Sequence, residues 1–215
     1  MGRAAMVEEQ LVHPADGREP IRDARVLEAM GRVPRSRFLP EPLRDLAYED
    51  QPLPIGCGQT ISQPYLVAFV AQLLDLQPGE RLLEVGLGTG YQAAVFHALG
   101  AKVYGVEILP RLADRARRSL RAAGCRDVEV RAGDGADGWP AHAPYDAIVV
   151  SAAASAVAPA LLDQLAPGGR LVAPLGPPGG EQLLCVLRKD AGGEVRRDDV
   201  MAVAFVPLAG AAADP

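Results

Sequence analysis

The stretch Glu84-Val-Gly-Leu-Gly-Thr-Gly-Tyr91 constrains this chain more than any other. It continues Arg81-Leu-Leu-Glu-Val85, which reads as a buried strand, and it opens a helical pattern running from about Gly90 to Leu99. Glycines at 86, 88 and 90 permit a tight turn and a close approach of backbone to a ligand. A strand, a glycine turn and a helix in that order start a β-α-β unit, with helix N–H groups facing a crevice above a parallel sheet. The spacing is G-x-G-x-G, whereas dinucleotide binders place the third glycine one position later. By itself such a turn is often only a turn.

The chain beyond it repeats the alternation. Lys102–Glu107 reads as a second strand, and a helix runs from Pro110 to about Ala123, with Gly124 as its stop. Val128–Ala132 and Asp146–Ser151 read as strands three and four, and Ala158–Leu165 as a helix. Pro167-Gly-Gly169 reads as a turn into strand five, Arg170–Pro174. Gln182–Arg188 and Val200–Val206 then form a terminal antiparallel pair joined by the polar segment 189–199. The fold class is therefore α/β, a mostly parallel sheet covered by helices.

The N-terminal third is different. It holds an amphipathic helix over Ala24–Val33, an irregular arm with five prolines between Pro34 and Pro54, and a helix over Tyr65–Leu74. The expected organisation is a helical arm with a substrate-binding loop over residues 1–78, a cofactor-binding core over 79–208 and a flexible tail over 209–215. At 215 residues, a single domain buries roughly 70% of its unfolded surface and needs no staple. No apolar run approaches the ~20 residues of a bilayer span, and no signal peptide or membrane partner is expected. A net charge of −5 argues against a nucleic-acid partner. Cys57, Cys125 and Cys185 are far apart, as are His13, His97 and His142. No metal site or disulfide framework is expected from them, and a reducing cytoplasm is the expected compartment.

Three features gather at adjacent strand ends. Glu107, 17 residues beyond Gly90, ends the second strand, where a carboxylate can accept from both hydroxyls of a ribose; the plain alternative is a solvated acid. Gly133-Asp134-Gly135 ends the third strand and is otherwise an ordinary turn. With the glycine turn, they point to a nucleoside ligand. Glu84 lies inside that turn, where it can receive an ammonium group. This favours S-adenosylmethionine, which carries an amino acid, over a dinucleotide.

These residues resemble the protein-L-isoaspartate (D-aspartate) O-methyltransferase family. The resemblance runs from about Met6 to Leu208, through Val33-Pro-Arg35, Ala47-Tyr-Glu-Asp50, Pro54-Ile-Gly56, Gly58-Gln-Thr-Ile-Ser-Gln-Pro64 and the glycine turn. It continues through Gly133-Asp-Gly135, Ala143-Pro-Tyr-Asp146, Asp163–Leu171 and Phe205-Val-Pro-Leu208. The G-Q-T-I-S-x-P box is its most specific part. The resemblance implies a Rossmann-like methyltransferase sheet with an antiparallel final strand. It also implies S-adenosyl-L-methionine as methyl donor, S-adenosyl-L-homocysteine as product, and no metal. The implied activity is methylation of the free carboxylate of L-isoaspartyl and D-aspartyl residues in damaged proteins and peptides; a monomer is expected.

By the same resemblance Ser62 is the active-site serine, and Thr60 and Ile61 line the substrate groove. Val206, Pro207 and Leu208 offer backbone to a peptide, and Asp50 braces the loop or holds a substrate amide. Glu84, Gly86, Gly88, Gly90, Glu107, Asp134 and Gly135 fall on cofactor-binding positions. Two departures stand out: Leu87 replaces the usual Thr or Ser, and Ala209 sits where some members carry Thr. Cys57 reads as a small buried filler, oxidation-sensitive if exposed.

The chemistry fits the residues. An isoaspartyl α-carboxyl has a reference pKa of ~3.5, so it is ionised at neutral pH and needs no general base. Ser62 can donate to one carboxylate oxygen; read without the resemblance it is a helix N-cap, and Asp50 an exposed acid. Ser151-Ala-Ala-Ala154 either lines the pocket or serves close packing. Two competing readings are a methyltransferase for aspartate in a dedicated precursor peptide and a regulatory S-adenosylmethionine-binding protein without turnover.

Overall fold

The computed structural model describes residues 1–177 and 180–210. Its centre is a seven-stranded sheet in the order β5-β4-β3-β6-β7-β8-β9. The strands are β3 (Arg81–Val85), β4 (Lys102–Glu107), β5 (Glu129–Ala132), β6 (Tyr145–Val150), β7 (Leu165–Leu175), β8 (Gln182–Lys189) and β9 (Val195–Val203). β5, β4, β3, β6 and β7 run parallel, while β8 is antiparallel to both its neighbours. Strand order reverses between β3 and β6, so the crevice for a ligand lies beyond their carboxyl ends.

Both faces of the sheet are buried, which explains the near-continuous apolar strands. Leu82 joins the cluster on one face, and Leu83 and Val85 join the cluster on the other. The first face carries α2 (Ala24–Arg32), α3 (Pro64–Leu74), α4 (Tyr91–Ala98) and α5 (Pro110–Ala122), and the second carries α6 (Pro159–Gln164). Apolar residues of the N-terminal arm, such as Met6, Met30 and Phe38, belong to the same cluster as Leu82 and Val95 of the core.

Several sequence expectations need correction. The chain starts with a helix, α1 (Arg3–Ala5), that passes into a π-helical stretch, Met6–Val12, burying Met6 and Leu11. The proline-rich arm is not wholly irregular: it forms 3-10 turns over Arg35–Phe38 and Glu41–Leu46, then β1 (Leu53–Gly56). β1 pairs with β2 (Gln59–Ile61) through the two-residue turn Cys57-Gly58. Both turn residues have positive φ, 55° and 72°, as a primed hairpin turn demands. Cys57 is therefore at the tip of a hairpin and exposed, not a buried filler.

The glycines at 168 and 169 do not end an element; they lie inside β7, where its register against β6 shifts. The last strand is Val195–Val203 rather than Val200–Val206, because the polar segment turns back early, with Gly193 N–H donating to Asp190. Its charged residues 196–199 are exposed, as suits the outer strand of a sheet. Ala209 and Gly210, from the expected tail, are described; residues 211–215 lie outside the described part.

Candidate functional site

The carboxyl ends of β3, β4 and β6 meet at one cleft. Beyond β3, Gly86, Gly88 and Gly90 all adopt positive φ, at 78°, 58° and 86°. Gly86 N–H donates to Val106 of β4 at 2.9 Å, which folds the turn back over the neighbouring strand. Gly90 caps α4, where a Cβ would lie 3.0 Å from Leu120. The cleft has two connected parts with about 360 and 440 Å³ of space, sharing Thr60, Gly86, Gly88 and Ser151 in their walls.

The inner part is lined by Glu84, Thr89, Gln92, Ser62 and Ile61 among others. Glu84 is 1% exposed. Its Oε1 accepts from Gln92 Nε2 at 3.1 Å and from Ser151 Oγ at 3.3 Å, whereas Oε2 is buried without a protein partner. Burial pushes its carboxyl up to about 8, against the pull of the Ser151 and Gln92 hydrogen bonds, and the nearby Glu107 charge pushes the same way. Thr89 Oγ1 is also buried without a protein partner. A buried acceptor and a buried hydroxyl on one wall call for a polar ligand. The ammonium and carboxylate of an amino acid would satisfy them in turn.

The outer part is lined by Glu107, Ile108, Leu109 and residues 206–209. Glu107 accepts from Gly88 N–H at 2.7 Å through Oε2 and from Leu109 N–H at 3.0 Å through Oε1. Its carboxylate is thereby held along the glycine turn, in the wall of the outer part. Asp134 and Gly135 sit one strand further on and line neither part of the cleft. Asp134 Oδ1 accepts from Ala136 N–H at 2.9 Å, and a Cβ at Gly135 would fall 2.2 Å from Val85 Cγ1, so that contact admits glycine alone. Leu87, the departure in the turn, is buried over Gly105 of β4, where a Cβ would stand 2.6 Å from Leu87 Cδ1.

Ser62 follows β2 and faces the inner part of the cleft. It is not the N-cap of α3: Gln63 holds that place with Pro64 in the first turn, and the cap acceptor is remote in sequence. Asp50 Oδ1 takes the Tyr65 N–H at 2.9 Å, while its Oδ2 pairs with Arg18 Nη2 at 2.6 Å. Asp50 is thus a brace rather than an exposed acid, and it lines neither part of the cleft. Val206 and Leu208 border the outer part, but Val206 C=O and Leu208 N–H already bond to Ala153, at 2.9 and 2.7 Å.

Arg35, part of the Val33-Pro-Arg35 segment, carries no expected role from the sequence. Its guanidinium is fully buried and donates to the carbonyls of Ala47, Gln51 and Ser62 at 2.6, 3.1 and 2.9 Å. Among the described residues no acid pairs with it, and burial pulls its pKa below the ordinary value. Thr89 and Gln92 were also passed over. The signal for them was present: a hydroxyl inside the glycine turn, and an amide one helical step beyond it.

Among the described residues no three His, Cys, Asp or Glu side chains gather as metal ligands, and no helix is long and apolar enough to cross a membrane. The model of the family described as protein-L-isoaspartate (D-aspartate) O-methyltransferase matches residues 6–213. Protein-L-isoaspartate O-methyltransferase 2 of Anaeromyxobacter sp. (strain Fw109-5) is 55% identical over 206 residues, covering 96% of this chain and 82% of that protein. A protein-L-isoaspartate O-methyltransferase of Methylorubrum populi is 54% identical, covering 96% and 94%. Among solved structures, a protein-L-isoaspartate O-methyltransferase superposes with a TM-score of 0.82 at 29% identity, over 89% of this chain and 63% of that one. A Plasmodium falciparum structure, described under the same activity and holding S-adenosyl-L-homocysteine, shares the fold with a TM-score of 0.83 at 24% identity, over 97% and 99%. With the family model spanning nearly its whole length and relatives above half identity, the chain belongs to the protein-L-isoaspartate (D-aspartate) O-methyltransferase family.

Proposed function

We propose that this protein methylates the free carboxylate of L-isoaspartyl and D-aspartyl residues in damaged proteins and peptides, drawing the methyl group from S-adenosylmethionine. The observation that carries this reading is the pair of buried, partnerless polar atoms, Glu84 Oε2 and Thr89 Oγ1, in the same cleft that Ser62 faces. When bound, S-adenosylmethionine supplies a methyl on a sulfonium sulfur: a substrate carboxylate oxygen forms the C–O bond as the C–S bond breaks, the electron pair stays on sulfur, and no proton moves.

The chain's own residues bind and orient. Glu84 Oε2 would receive an ammonium, Thr89 Oγ1 would donate to a carboxylate, and Glu107 would accept from ribose hydroxyls; Asp134 and Gly135, which line neither part of the cleft, would bear on the adenosine only from the next strand end. Ser62 donates to one oxygen of the substrate carboxylate and leaves the other in line. Such orientation can supply ~7–11 kcal/mol of the barrier. Thr60 and Ile61 cover the reacting end and exclude the water that would otherwise solvate the nucleophile. Val206, Pro207 and Leu208 flank the peptide. The same reading takes the protein to act on polypeptide substrates as a monomer in the cytoplasm.

Radiolabelled cofactor with matched isoaspartyl and aspartyl peptides tests the reading. Label is expected only on the isoaspartyl peptide and is lost in mild base, as a methyl ester requires. Equal labelling of both peptides, or base-stable label, refutes it.

A further inference from the structure

Beside the cleft lies a second depression, with about 850 Å³ of open space, whose walls come from four parts of the chain. Pro52, Gln63 and Leu66 form one side and residues 201–204 the other. It adjoins the reacting end through successive residues: Ile61 and Ser62 line the cleft, and Gln63 lines this groove. Its lining is mainly apolar. The one cation, Arg18, lies over the Tyr65 ring, 4.0 Å from its centroid, and is matched by Asp16 and Asp50, each at 2.6 Å.

Two further observations bear on what fits there. β9 is the outer strand of the sheet, and nothing pairs with its far side among the described residues, so an extended chain can lie along its edge. Asp50 braces the groove wall, since it holds Arg18 with one oxygen and the N–H of Tyr65, three residues beyond Ser62, with the other.

We infer that the groove between α3 and the end of β9 is the subsite for an apolar or aromatic residue flanking the damaged aspartyl residue of the substrate polypeptide. The inference rests on the proposed activity and adds to it a determinant of which damaged sites are methylated fastest. Adjacency to the cleft, which Ser62 lines while Gln63 lines the groove, selects the substrate chain as occupant. The neutralised Arg18 leaves no free charge to attract an acidic neighbour.

The test is a set of isoaspartyl peptides that differ only in the residues flanking the damaged site, with Ala, Asp, Leu or Phe at each of the near positions on both sides. Wild type is expected to favour Leu or Phe over Ala at one position, on the order of 10-fold in kcat/KM, as burial of such a side chain allows. Leu66→Trp and Val203→Trp fill the groove from its two sides, and each is expected to collapse that ratio. A flat profile in wild type, or a preference that survives both variants, overturns the subsite while leaving the activity standing. Failure to methylate any isoaspartyl peptide overturns the activity and the subsite together. A stable dimer in sedimentation that Val203→Trp dissociates overturns the subsite by assigning the groove to a second copy of the chain.

Discussion

The guanidinium of Arg35 donates to the carbonyl oxygen of Ser62 at 2.9 Å, from a position wholly inside the protein. The same group holds Ala47 and Gln51, so one side chain ties the proline-rich arm to the loop that carries the proposed active-site serine. Arg35→Met leaves three carbonyls without this donor. It is expected to lower unfolding stability by ~3 kcal/mol in urea titration. Arg35→Lys should recover only part of it, because an ammonium cannot span three acceptors in the fixed geometry of the fork.

Ser62→Ala removes a hydroxyl that the helix cap does not use. Turnover on an isoaspartyl peptide should fall by the value of a hydrogen bond to a charged group, ~1.5–3 kcal/mol of barrier. Calorimetric affinity for S-adenosylhomocysteine should stay close to wild type. Loss of that affinity would place the serine in the wrong part of the cleft.

Glu107→Ala should do the reverse. Its two oxygens hold Gly88 and Leu109, and the proposed ribose contact adds a charged hydrogen bond. The cofactor dissociation constant is expected to rise by ~1.5–3 kcal/mol in free-energy terms. Equilibrium dialysis with labelled cofactor measures it.

Glu84 predicts a pH dependence. Desolvation raises its folded pKa from 4.5 to about 8, so the folded chain keeps a proton that the unfolded chain has lost. This contribution to stability is fully present below the unfolded pKa and is lost as pH rises through the folded one. Between those limits the slope is at most ~1.4 kcal/mol per pH unit. Urea unfolding of wild type and Glu84→Gln across that window should show the slope in the former and its loss in the latter. An ammonium beside Glu84 favours the carboxylate, so cofactor binding below about pH 8 should release a proton, visible by calorimetry in buffers of different ionisation enthalpy.

Leu87 and Gly105 are coupled by contact. Gly105→Ala puts a methyl within 2.6 Å of Leu87 Cδ1 and should drive that side chain toward the cleft, weakening cofactor binding. Combining it with Leu87→Ser should restore much of the loss. Simple additivity in the double-mutant cycle would exclude the coupling.

The core of the fold was legible because its signals are local. Arg81–Val85 and Lys102–Glu107 are short apolar runs bounded by turn residues, and their bounds in the structure are those read from the sequence. The hairpin of β1 and β2 was hidden because its turn uses Cys57 where Asn or Asp is usual, and because Pro54 sits in its first strand. β9 was placed five residues late since an outer strand needs no apolar alternation. Among site residues, Glu84 and Glu107 stood out as acids at strand ends. Arg35 and Asp50 act across 27 and 15 residues of chain, through bonds to backbone atoms, and no spacing rule reports such contacts.

The two backbone amides that grip Glu107 belong to the glycine turn and to the start of the segment before α5, not to any ligand. Its orientation is therefore set before an encounter, and little ordering of this carboxylate remains to be done when a nucleoside arrives. Donor and spent product share the same ribose, so under the proposed contact both would meet the same fixed acceptor. Departure of the demethylated nucleoside would then compete directly with loading of the next donor molecule, and the cellular ratio of the two would act as a throttle on repair.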